Sequence, residues 1–515
     1  MVKKLIEVSL LLGVLVAGVS CQIETRNFTQ WLDHFDENCT ETWNNTYYID
    51  ESFYEPGGPI FLYVGDMQFY YTWYRLNSSH FVDIAREAGA LLIGTEHRYY
   101  GESRPTADLT TDNLIYLSTA QALEDVAELI RFIKSSSPDL ENAKVIASGV
   151  GHGGALATWL RQRYPDLVHA AWSSSAKLNA LLNFGEFHTN TAQTIRIYGG
   201  QICYDRMANA FSMLEDIWVA EDLEKLVEVF KLCPMDPGDV EIIPIELASG
   251  FFFGTLATAI GIYVSVAHAP AITSFCGYLE RGENDMYGLA DWIYYAIYNA
   301  QGCLPASVDD LLYVYMDPDW YSPGSIVGGR QQVWQMCTEF GWFRSSNASD
   351  HPFGDRFPYD MFFQQCNFIL NYTMTEDDLR RSIDNTNVQF GGLHPNVTRV
   401  YFTNGNLDSE KTISILSDLN DDAPADIIPY FGYGADYESM NTTTYQGLRN
   451  IQERARSLIL EWLETDDVTE GPTEGTTTSP TGETSPANTT TPAITTTTTT
   501  TGPTTTSEPV WTPYR

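Results

Sequence analysis

The segment from Val145 to Pro165 reads VIASGVGHGGALATWLRQRYP. A short apolar strand runs into a glycine-dense turn and then into a helix that Pro165 stops. Strand, turn and helix in immediate succession are the unit of a parallel sheet with crossover helices, so this stretch predicts an α/β fold. The surrounding sequence agrees. Pro59–Gly65 (PIFLYVG), Ala90–Gly94 (ALLIG), Lys144–Ala147 (KVIA) and Val168–Trp172 are apolar runs of the buried-strand type. Thr119–Lys134 places apolar residues at 122, 123, 126, 129, 130 and 133, which is helical spacing, and closes on Lys134. The pattern returns late in the chain. Arg399–Thr403 and Asp426–Tyr430 predict strands, the second weakened by Pro429. Thr444–Glu464 predicts an amphipathic helix with Leu448, Ile451, Ala455, Leu458, Ile459 and Trp462 on one face. Residues 178–395 are cysteine-bearing and mostly helical in pattern, an insertion between strands of one sheet. The predicted organisation is a core over 21–177 and 396–465, the insertion between them, a leader over 1–20 and a tail over 466–515.

The two ends are different material. Lys3 and Lys4 precede a mostly apolar Leu5–Val19, and small residues lead up to Cys21. This predicts a cleaved signal peptide, with an uncleaved anchor as the alternative. From Thr469 to Ser507, 20 of 39 residues are Thr and three are Ser. Such a segment buries no core and predicts a mucin-like stalk or a bare flexible tail. N-x-S/T sequons at Asn27, Asn38, Asn44, Asn77, Asn347, Asn371, Asn396, Asn441 and Asn488 predict glycosylation. None of the eight Cys lies in a CxxC pair, which favours disulfides over metal. No nucleotide, zinc or EF-hand motif stands out, so neither metal nor cofactor is expected. The formal charge of −38 disfavours nucleic acid, because binding phosphates needs basic patches. Ala248–Ala267 has no charged residue and nearly the length of a membrane span. Its Gly and Thr content, and its place between sequons, predict a buried core helix and no membrane span.

Gly149-Val150-Gly151-His152-Gly153 stands where the nucleophile elbow of α/β-hydrolases carries G-x-S-x-G. The central residue is Gly151, which tolerates a strained backbone but has no side chain to attack a carbonyl. Around it, FTQWLDHFD (28–36), GGPIFLYVG (57–65), EHRYYGES (96–103), YLSTAQALED (116–125), GGALATWLRQRYP (153–165), SSSA (173–176) and YFTNGNLD (401–408) follow in order. These segments resemble successive hallmarks of the serine peptidases that include prolyl carboxypeptidase, dipeptidyl peptidase II and thymus-specific serine protease. EHRYYGES and TNG-x-x-D are the specific ones. The resemblance spans about Phe28 to Leu463. It implies an α/β-hydrolase core with an inserted, mainly helical, disulfide-stapled cap domain. It also implies the bridges Cys203–Cys276, Cys233–Cys303 and Cys337–Cys366.

In that family the triad runs Ser, Asp, His. The resemblance puts the place of the Ser on Gly151, the acid on Asp408, and the place of the His on Asp436 within GYGADYESM (432–440). It gives His152 an oxyanion-hole amide, with its ring lining the pocket. It sets Gly65 in a substrate-facing turn where the family has a G-G-E-G-like run. His97 is expected to fix a loop by hydrogen bonding. One conclusion needs no resemblance. The last of the nine His is His394, so none follows Asp408, and a triad in the order nucleophile, acid, His cannot close. An aspartate, with a reference pKa of ~3.9, is a poor base near neutral pH. Loss of the triad costs on the order of 10⁶ in turnover. The expectation is a secreted, alternatively lysosomal, glycoprotein that has lost catalysis. It would bind peptides or peptide termini, or pair with itself or with an active relative. The alternative is an active serine peptidase cleaving proline-containing peptides.

Overall fold

The computed structural model describes residues 23–67, 69–232, 245–297, 302–303, 315–440 and 445–465. The predicted leader and tail, Cys233, Asn441 and Asn488 lie outside the described residues. Among the described residues ten strands follow in chain order: β1 (Glu24–Trp31), β2 (Thr42–Asp50), β3 (Ile60–Tyr63), β4 (Leu91–Thr95), β5 (Val145–Val150), β6 (Ala170–Ser174), β7 (Leu181–Asn183), β8 (Gly341–Phe343), β9 (Val400–Gly405) and β10 (Ala425–Ile428). Eight of them form one sheet in the order β1-β2-β4-β3-β5-β6-β9-β10. β2 runs antiparallel to both its neighbours, and every other pairing in the sheet is parallel. With β7 and β8 set aside, this is the strand order and single reversed strand of an α/β-hydrolase, the predicted class.

The strands alternate as strands must. Ile60, Leu62, Val145, Ala147, Ala171, Val400 and Phe402 belong to one cluster of buried side chains. Phe61, Tyr63, Ile146, Ala170, Trp172 and Tyr401 belong to another on the opposite face. Both faces are covered, so β3, β5, β6 and β9 read as continuous apolar runs. β1 and β2 carry no such run. They are polar and interrupted by sequons, and sequence reasoning did not find them. Helices α1 (Thr119–Ser135) and α2 (His152–Arg163) fill the first face. The C-terminal helix buries Leu448, Ile451, Ala455, Ile459 and Trp462 on the second.

The insertion has two parts. The first has its own core, in which Met207, Phe211, Phe253, Ile260, Ile272 and Trp292 meet, and Cys203–Cys276 staples it. The second does not form a separate body. Trp334, Phe340, Trp342 and Phe343 join the sheet-side cluster, and Cys337–Cys366 holds this part together. Cys303 is also disulfide-bonded. The apolar helix α3 (Ile245–Val266) buries Phe253, Ala257, Ile260 and Val264 but leaves Ile262 and Val266 exposed. It is a core helix on one face only, since a single flank cannot cover a helix that is apolar all round. The seven described sequon asparagines, Asn27, Asn38, Asn44, Asn77, Asn347, Asn371 and Asn396, are all exposed.

Candidate active site

β5 ends at Val150 and α2 begins at His152, so one residue makes the whole turn. Gly151 does so at φ 61° and ψ −122°. That conformation is costly for any residue with a β-carbon. Its N–H donates to Ser174 O (2.9 Å), and its carbonyl accepts from Ala155 N (3.1 Å). This is the geometry of an elbow that would lift a side chain above the sheet. At the outer side of Gly151 stands the ring of Tyr433. A β-carbon on Gly151 would overlap Tyr433 Oη and lie 3.0 Å from Cζ and 3.2 Å from Cε2.

The loop after β9 carries Asp408, the expected acid. Asp408 is fully buried, and its Oδ1 accepts from Glu410 N (2.9 Å). Its Oδ2 has no hydrogen-bond partner among the described residues. Burial, reinforced by the neighbouring Glu410, holds the Asp408 carboxyl above its ordinary range. Glu410 goes the other way despite burial, because two cations clasp it. Lys177 Nζ lies 2.7 Å from its Oε2, and Arg344 Nη2 lies 2.6 Å from its Oε1. Tyr433 faces this acidic group. Burial, with Asp66, Glu410 and Asp408 nearby, keeps its phenol protonated.

Asp436 is directed elsewhere. Ser174 Oγ donates to its Oδ1 (2.7 Å) and Thr403 Oγ1 to its Oδ2 (2.5 Å). It is wholly buried next to Tyr437, which stacks on Trp172 beneath the elbow. The structure therefore brings Gly151, Tyr433 and the Asp408–Glu410 pair together, with Asp436 bonded to other groups. Gly65 is likewise engaged. Its N–H donates to Thr95 Oγ1 (3.0 Å), and a β-carbon there would overlap Thr95 O. The His152 ring is turned into the interior. It is buried among His97, Trp159, Phe340 and Trp342, with no hydrogen-bond partner for either nitrogen among the described residues. Burial keeps it neutral, well below the usual imidazole range. Sequence reasoning missed Tyr433, Lys177, Arg344 and Glu410. Tyr433 lies inside the GYGADYESM segment, but nothing local says which of its side chains faces the elbow.

The hallmark segments meet in a buried network beside the site. Arg98 forks onto Asp125, with Nε to Oδ2 at 2.6 Å and Nη2 to Oδ1 at 2.8 Å. Its Nη1 donates to the carbonyls of Leu32 (3.1 Å) and Tyr116 (2.7 Å). His34 Nε2 lies 2.7 Å from the same Asp125. EHRYYGES, YLSTAQALED and FTQWLDHFD are thus tied through one guanidinium. His97 bonds the Arg98 carbonyl through Nδ1 (2.7 Å), which is the loop-fixing contact expected of it.

A sequence profile of the Serine carboxypeptidase S28 family matches residues 30–455. The chain is 27% identical over 450 residues to the thymus-specific serine protease of Mus musculus, covering 84% of this chain and 86% of that protein. It is 41% identical over 164 residues to the lysosomal Pro-X carboxypeptidase of Bos taurus, covering 31% and 33%. Among solved structures, the peroxisomal alpha-beta-hydrolase Lpx1 of Saccharomyces cerevisiae aligns over 85% of this chain and 90% of that one, with 11% identity and a TM-score of 0.36.

Proposed function

The chain belongs to the serine carboxypeptidase S28 family, and from that premise we propose that it is a member that has given up catalysis and acts by binding peptides or a protein partner. The observation that carries this reading is Gly151. It holds the elbow dihedrals of a nucleophile, yet it bears no side-chain oxygen, and no histidine follows Asp408 to deprotonate one. The amides that begin α2 remain and support binding of a peptide carbonyl without attack on it. The N-terminal apolar segment and the exposed sequon asparagines support a secreted glycoprotein. The lysosomal Pro-X carboxypeptidase among its relatives supports the lysosome as the alternative destination.

Purified full-length protein incubated with a fluorophosphonate probe and with proline-containing peptides tests the reading. No labelling and no steady turnover are expected, with saturable heat of peptide binding by calorimetry. Steady hydrolysis abolished by the probe would establish the rival, an active serine peptidase. No saturable binding at all would leave only a partner protein as ligand.

A further inference from the structure

The loop after β10 delivers to the elbow a residue other than the one its sequence register suggests. The ring of Tyr433 overlaps the space of a β-carbon on Gly151, while Asp436 is held by Ser174 and Thr403. The loops on which Asp408 and Tyr433 lie are joined, since Leu407 N donates to Phe431 O (3.0 Å). Both are pinned to the same residue of α3. Tyr433 N donates to Ser265 O (2.6 Å), and Ser409 N donates to Ser265 Oγ (2.9 Å). Asp408 Oδ2 is buried without a hydrogen-bond partner among the described residues.

We propose that Tyr433 stands in the place of the missing base. Its ring fills the imidazole's room and its hydroxyl seals the nucleophile's, while Asp408 Oδ2 is the acceptor that an imidazole N–H would have used. Side-chain length supports the assignment. An imidazole is shorter than a phenol, so one at 433 would stop short of the present hydroxyl, the atom that overlaps the β-carbon position at 151. That shortening frees room at the elbow for a serine Oγ beside an imidazole nitrogen. Position 433 is thus both the lost base and a built-in plug, and α3 of the insertion holds the plug in place. This inference rests on the reading of an inactive family member, and its tests separate the two.

Two variants of the full chain address the base. Gly151→Ser with Tyr433→His is expected to react with a fluorophosphonate about a hundredfold faster than Gly151→Ser with Asp436→His. Equal rates, the reverse order, or no labelling of either variant in folded protein overturn the assignment. A double-mutant cycle in thermal unfolding addresses the plug. Gly151→Ala is made in the wild type and in a Tyr433→Gly background. The penalty of the positive φ is common to both and cancels; the overlap exists only in the first. The loss in Tm should be smaller in the Tyr433→Gly background by about 2 °C or more. Equal losses overturn the plug and leave the inactivity of the wild type untouched. Peptide turnover by the wild type would instead sink the inactive reading and leave the cycle as it stands.

Discussion

The phenol of Tyr433 occupies the space into which a side chain at Gly151 would project, so the elbow is closed twice, by the absence of an oxygen and by the presence of a ring. Gly151→Ser by itself should therefore restore nothing. It should lower stability by about 3 kcal/mol, combining a positive φ for a residue with a β-carbon and an overpacked contact. Urea unfolding and probe labelling of the single variant check both halves.

Glu410 is the shared counterion of Lys177 and Arg344, and all three are largely shielded from solvent. Replacing one partner of such a cluster leaves the others' charges poorly solvated. Glu410→Gln should cost on the order of 3 kcal/mol in denaturant unfolding. Arg381→Ala breaks an exposed pair with Asp378 and should change stability by no more than about 0.5 kcal/mol.

Arg98 gathers Asp125 and three carbonyls with a planar fork that an ammonium cannot reproduce. Arg98→Lys should cost about 3 kcal/mol and loosen the N-terminal strands. Amide hydrogen exchange across β1 and β2 should rise relative to β5. Unchanged exchange there would show that the network does not anchor those strands.

The partly buried Glu339 accepts from Thr119 N (2.8 Å), and desolvation pushes its carboxyl up to about 7. With the folded value raised above the unfolded one near 4.5, the protein binds the proton more tightly when folded. The corresponding stability is fully present below pH ~4.5 and is lost as pH rises through about 7. Glu339→Gln removes that dependence. The variant should gain about 3 kcal/mol relative to the wild type between pH 4.5 and pH 7.5, read from unfolding curves at the two values.

Much of the scaffold was legible because its signals are local. The runs at Pro59–Gly65, Ala90–Gly94 and Lys144–Ala147 became β3, β4 and β5, and Pro165 stopped α2 near Arg163 as expected. β1 and β2 were not legible. They lie at one side of the sheet, where polar residues and sequons break the apolar period, and their pairing register is a matter of partner strands alone. The single predicted cap resolved into a part with its own core and a part that shares the sheet's. Apolar patterning shows that a face is buried, without showing against what.

The sequence by itself determined that residue 151 is a glycine and that no histidine follows His394, since neither depends on folding. Which side chain stands against Gly151 was decided only by the tertiary structure. Tyr433 and Asp436 lie within one turn-rich segment, and their different places are set by Ser265, Ser174 and Thr403, groups brought from distant parts of the chain. The same holds for His152, whose ring became buried because Phe340 and Trp342 of the insertion close over it. Side-chain direction in a loop is a property of its contacts, and those exist only once the sheet and the insertion have met.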